Sequence, residues 1–407
     1  MPATPERRRP MSREEALRRQ VQKRQIDQKR RESYELSKGP IDMPFCLMVL
    51  LLTAVGLVML LSASFPSAYY ETDGQDPLHY FTRQAVFAVL GISAMGIISK
   101  INYQRFRGAA RILLYVSIAL LMLVLVPGIG QTRNNATRWI GIGNLFTFQP
   151  SEVAKMAVVL YFSDSISRKK EKMRTFRYGI APYLVIMGII ALLMLMEPHL
   201  SGTILILGAG AVLMLVGGIQ WRWVGLAAGF VGVVAALMAT GVITYGQSRI
   251  AMWLDPFIDP RGAGYQLSQS LISIGSGGIW GLGLGKSRQK FLYLPEEHND
   301  FIFAIVCEEL GLIGASIIIA LFVALILRGY WIALHARDRF GSLLVVGVVT
   351  LIAMQTFLNI AVVTGTVPTT GISLPFFSYG GTALAMQLAE MGVVLSVSRQ
   401  MKPTKAG

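Results

Sequence analysis

The chain has 407 residues; 53% are hydrophobic and only 15% charged, against about 25% charged in an average soluble domain. A mean hydropathy of +0.52 and only two cysteines exclude the soluble, disordered, collagen-like and disulfide-framework classes and leave a polytopic membrane protein. The net charge of +15 fits inner-side loops that collect Lys and Arg, and no basic cluster is interleaved with the stacking aromatics that nucleic-acid binding would need.

Residues 1–41 are polar, with 12 basic and 6 acidic residues. They contain no apolar h-region, so no cleavable signal peptide is expected. The segment reads as a cytoplasmic tail, disordered or loosely helical. It serves either as a solvated topology anchor or as a contact for anionic membrane lipid.

Apolar runs begin after Ile41, and a spanning helix needs about 20 apolar residues. Ten runs qualify: 44–64, 80–99, 108–127, 150–165, 180–196, 202–219, 223–245, 301–327, 342–364 and 378–397. The predicted fold class is therefore all-α: a polytopic integral membrane protein of about ten transmembrane helices over residues 42–397. The longest loop, 246–300, lies between spans 7 and 8, and a short cytoplasmic tail covers 398–407. With the N-terminus inside, 28 of the 38 basic residues fall on inner segments. Both termini are therefore expected in the cytoplasm. Most acids outside the tail fall on the outer face, among them Glu197, Glu296, Glu297 and Asp300.

Loop 246–300 is too long for a simple connector. Asp300 is the last charge before a long apolar span. A carboxylate there commonly caps the helix, for about 1 kcal/mol; partly desolvated at a membrane boundary, it can instead act as a general base. Glu296, Glu297 and His298 crowd the same helix entry, and Arg249, Lys286, Arg288 and Lys290 share the loop. Acids and bases on one membrane face suit a substrate with an anionic headgroup and a hydroxyl to deprotonate, such as a diphosphate-linked lipid.

Upstream, Glu152 and Lys155 are three apart on the fourth span and share a helical face. They read as an internal ion pair, as charges lining a substrate path, or as both. His199 lacks companions for a metal site, and Glu390 falls within the last span with no partner evident. The glycine-rich stretch 273–287 is not a nucleotide loop, because Trp280 stands where the P-loop pattern needs glycine. Cys46 and Cys307 read as small buried hydrophobes.

Several segments in this order resemble the SEDS family (shape, elongation, division and sporulation; FtsW, RodA and SpoVE) over nearly all of 42–397. They are Asn134 to Ile140, Gln149 to Lys155, Glu197 to Gly202, Gly264 to Gln266, Gly281 to Gly285, Leu294 to Phe303, Glu308 to Gly311, Pro368 to Pro375 and Ser378 to Gly381. The resemblance implies a peptidoglycan glycosyltransferase that polymerises lipid II into glycan strands at the outer face of the bacterial cytoplasmic membrane. Asp300 matches the family's essential Asp, and Arg138, Glu152, Lys155, Arg249 and Lys290 match polar positions around its central cavity. Asn135, His199 and Asn299 depart from the usual family residues. The basic tail and the end of the first span fit a division-type better than an elongation-type member. The resemblance further implies a class B penicillin-binding protein and other division proteins as partners, and a Mg2+ or Mn2+ ion. A flippase for the same lipid and a scaffold without chemistry are the rival readings.

Overall fold

In a computed structural model, the structure describes residues 39–133, 136–142, 146–223, 225, 226, 229 and 247–401. Helix α1 (Met43–Glu71) is opened by Asp42, whose carboxylate accepts the Phe45 N–H at 3.0 Å, with Pro44 in the first turn. It is followed by α2 (His79–Lys100) and α3 (Phe106–Val124). A meander comes next, β1 (Gly130–Arg133), β2 (Ala136–Ile142) and β3 (Phe146–Phe148), each strand antiparallel to the one before. These strands fall between the third and fourth expected spans and depart from the all-α class expected. Thr, Trp, Ile and Phe are concentrated there, and β-branched and aromatic residues suit a pleated surface.

Helix α4 (Pro150–Lys169) starts on proline, with Glu152 in its first turn and Arg168 and Lys169 in its last, an arrangement that complements the helix dipole. Then come α5 (Ala181–Met196), α6 (Leu200–Val216), α7 (Gln247–Leu254) and α8 (Tyr265–Gly277). The chain ends on α9 (Ile302–Leu334), α10 (Arg339–Val363) and α11 (Gly381–Ser398). Seven described helices are long and apolar enough to cross a membrane. Of the expected spans, 150–165 corresponds to the charged α4 and 202–219 to the 17-residue α6; 223–245 lies almost wholly outside the described residues. The terminal tails 1–38 and 402–407 also lie outside them.

The core runs along α10 and α11, with α2, α4, α6 and α9 packed around them. Glycines let α2 and α11 approach closely: a methyl on Gly91 would lie 3.0 Å from the Ala385 backbone, and one on Gly392 would lie 2.8 Å from Met95 O.

Two polar clamps tie α1 to α9. At one end Arg328 pairs with Asp42 at 2.8 Å, and the Asp42 N–H donates to Ser398 Oγ at 3.1 Å. Arg399 reaches Gly39 O at 3.0 Å, so both ends of the membrane domain meet on one face. At the other end Lys290 pairs with Glu309 at 2.9 Å, and Ser62 Oγ donates to Glu309 at 2.7 Å. The clamps lie nineteen residues apart on α9 and twenty on α1, about 28–30 Å at 1.5 Å per residue. The hydrocarbon core of a bilayer is about 30 Å thick. The two clamps are thus spaced by about one hydrocarbon thickness on α1. Helix α9 breaks at Gly311, where φ is 66°.

Candidate functional site

Between these elements lies a cavity of about 370 Å³. Helix α2 contributes Tyr80 and Arg83, β2 contributes Arg138, and α4 contributes Glu152 and Lys155. His199 enters from the turn before α6, and Glu296, His298 and Asp300 enter from the loop before α9.

The backbone around Asp300 is held from two other segments. Asn359 Nδ2 on α10 donates to Asp300 O and to Ile372 O, both at 2.7 Å. Ser378 Oγ donates to Asn299 O at 2.7 Å, and the Tyr379 N–H donates to His298 O at 2.9 Å. The carboxylate itself does not cap the helix: the cap position is Phe301, and no side chain bonds there. Among the described residues no hydrogen bond or ion pair engages it. Gly371, at φ 66°, passes so close that a methyl there would lie 3.2 Å from Asp300 Oδ2. Burial first, and the Glu296 charge second, push the Asp300 carboxyl up to about 6; Arg138 and His298 pull the other way. A fixed backbone and an unengaged carboxylate titrating near neutrality suit a general base.

Across the cavity Lys155 Nζ meets Glu152 Oε2 at 2.8 Å, both largely buried. Glu390 of α11 is buried within electrostatic reach of both. Arg138 is oriented by the turn after α5: Nε donates to Glu197 O at 3.4 Å and Nη2 donates to Pro198 O.

The fold brings Arg138, Glu152, Lys155, Glu296, His298 and Asp300 to one cavity and directs others elsewhere. Glu297 is buried and accepts from Ser67 Oγ, with His298 Nδ1 at 3.4 Å. Lys290 is buried in the clamp with Glu309. Arg249 belongs to α7, and its side chain lies outside the described residues. The sequence reading missed the aromatic rim, where Tyr80 packs against His298 at 4.5 Å and Tyr379 at 4.8 Å between ring centroids. It also missed Gln149, which faces His199 at 3.4 Å. His199 lines this wall; burial, with Arg138 and Lys155 nearby, lowers its ring to about 3, so it is neutral there.

Among the described residues neither carboxylate oxygen of buried Glu197 has a hydrogen-bond partner, and burial raises it from 4.5 to about 8 against the opposing charge of Arg138. Because the folded value exceeds the unfolded one, the folded state holds the extra proton between those values, and stability falls as pH rises through that window. Glu197→Gln should flatten this dependence. Unfolding temperatures measured from pH 5 to 8.5 should fall more steeply in the wild type than in the variant; parallel curves would refute the assignment.

Among the described residues no three His, Cys, Asp or Glu side chains converge to hold a metal. Side chains alone thus do not build a complete divalent-cation site in the described part of the cavity.

The profile of the FtsW/RodA/SpoVE family, described as cell cycle proteins, matches residues 43–403. Stage V sporulation protein E of Bacillus subtilis (strain 168) is 42% identical over 363 residues, covering 88% of this chain and 97% of that protein. A probable peptidoglycan glycosyltransferase FtsW of Geobacter metallireducens is 42% identical over 366 residues, covering 89% and 96%. A solved chain from a peptidoglycan synthase complex that coordinates polymerization and crosslinking superposes with a TM-score of 0.74 at 29% identity, covering 88% of this chain and 98% of that one. The rod shape determining protein RodA of Thermus thermophilus superposes with a TM-score of 0.65 at 27% identity, covering 90% and 99%. With a charged cavity in a largely helical membrane bundle and a profile match along nearly the whole of that bundle, this chain belongs to the FtsW/RodA/SpoVE family.

Proposed function

We propose that the chain is a peptidoglycan glycosyltransferase that polymerises lipid II, with Asp300 as its general base. The observation that carries this reading is the unengaged Asp300 carboxylate, whose backbone is fixed by Asn359 and Ser378, in a cavity that also presents Arg138 and Lys155.

The acceptor GlcNAc 4-hydroxyl attacks the anomeric carbon of the donor MurNAc. The new C–O bond forms on the face opposite the departing polyprenyl diphosphate, so the configuration inverts. A sugar hydroxyl is a far weaker acid than a carboxylic acid. Asp300 therefore takes the proton as the anomeric bond breaks rather than before. Arg138 and Lys155 stabilise the negative charge that develops on the diphosphate. Glu152 or Glu296 would hold a Mg2+ or Mn2+ ion, which would supply positive charge to the leaving diphosphate. The cavity faces the outer leaflet, both termini are cytoplasmic, and the product strand serves the septal wall. A class B penicillin-binding protein and other division proteins are the partners, in keeping with the synthase complex that the fold matches.

The test is a gel assay with the full chain, its transpeptidase, labelled lipid II and Mg2+ or Mn2+. A ladder of glycan strands is expected. Lipid II moved across vesicle membranes with no ladder under any condition would replace the enzyme with a flippase.

A further inference from the structure

We propose that the loop between α8 and α9 carries a binding site for the anionic headgroup of a phospholipid, in the leaflet that holds Asp300. The inference rests on the spacing of the two clamps and on the loop's own side chains, and does not depend on the glycosyltransferase reading.

Depth comes first. The Glu309 clamp stands about one hydrocarbon thickness from the Asp42 clamp, and the start of this loop is laced to α9 at that level. The Leu282 N–H donates to Glu308 O at 2.9 Å, and the Leu312 N–H donates to Gly278 O at 2.9 Å. The loop thus lies at headgroup height rather than out in water.

Its surface is apolar and aromatic. Trp280 is 81% exposed, Tyr293 58% and Phe291 51%. Leu292 is exposed at φ 65°, a conformation costly for a bulky residue. Aromatic rings of this kind concentrate at membrane–water interfaces.

Charge selects the ligand. Glu308 and Glu309 are turned inward and fully engaged. Glu308 accepts from Ser273 Oγ at 3.1 Å, from Ser287 Oγ, and from the Arg288 N–H at 2.9 Å, while Glu309 holds Lys290. Lys286 and Arg288 are left facing out, and among the described residues neither side chain has an ion-pair partner. With Phe291 and Tyr293 they line a cleft of about 560 Å³. Two exposed cations sharing a cleft with aromatic rings at headgroup height fit a phosphate tethered to acyl chains.

Native mass spectrometry of the full-length protein with added phosphatidylglycerol or phosphatidylcholine tests this. The wild type should retain phosphatidylglycerol in preference. The double variant Lys286→Gln, Arg288→Gln should bind it about 30-fold more weakly, at about 1 kcal/mol per surface cation. Asp300→Asn should bind as the wild type does, which separates this site from the cavity. A photoreactive phosphatidylglycerol should crosslink to the wild-type peptide 280–293, a readout that stands even if the double variant misfolds. Equal retention by wild type and double variant, or no crosslink to that peptide, overturns the proposal. Binding of a polyprenyl diphosphate but not of phosphatidylglycerol overturns it too and assigns the cleft to the substrate.

Discussion

Asp300→Asn should slow glycan polymerisation by about 10²–10⁴-fold, the usual contribution of a well-placed base. The substitution keeps the shape and the backbone bonds from Asn359 and Ser378. Lipid II binding should therefore survive while the rate collapses. The pH profile gives a second reading. Burial and Glu296 raise the wild-type carboxyl to about 6, and only its ionised form accepts a proton. The wild-type rate should rise about tenfold per pH unit below 6 and level off above it. Residual activity in the Asn variant should lose this inflection. Asp300→Glu keeps the charge but adds a methylene in a place with little room, since Gly371 already lies against Oδ2; it should rescue poorly. A variant that polymerises at the wild-type rate would move the base elsewhere, and a plateau reaching down to pH 4 would mean that no group titrating near 6 is used.

The bundle was legible because spanning helices must satisfy their own backbone in an apolar solvent, which forces long apolar runs. The charged α4 was recoverable only because Glu152 and Lys155 share a face and neutralise one another. The meander was hidden by its brevity, although its β-branched and aromatic residues were visible. Asp300 stood out as the last charge before α9. Arg138, Glu152, Lys155, Glu296 and His298 were also named from the sequence, but Tyr80, Gln149 and Tyr379 were not, because they come from segments far apart in the chain and are gathered only by packing. Lys290 shows the opposite error. Sharing a loop with Asp300 suggested a phosphate ligand. The fold instead turns it inward to Glu309, a residue that by itself reads as an isolated charge in an apolar helix. Chain proximity says which residues arrive together, but not which way they face.

Lys290→Met should therefore act on stability before it acts on substrate. Lys290 and Glu309 are both buried, and their ion pair closes the loop that carries Asp300 between residues 290 and 309. Removing one partner of a buried pair strands the other, at a cost of about 3–5 kcal/mol. In the single variant Glu309 would retain only Ser62 Oγ at 2.7 Å and the Ser287 N–H at 3.3 Å. Thermal unfolding should shift down markedly, and polymerisation should fall because the base is no longer held in place. Adding Glu309→Gln removes the stranded charge and keeps an acceptor for both remaining donors, so the double variant should recover most of the lost stability. A residue that served the substrate would behave differently: Lys290→Met would raise the apparent KM for lipid II at unchanged unfolding temperature, and Glu309→Gln would restore nothing. Stability recovered by the second substitution can come only from the pair itself, which makes the double variant the decisive arm.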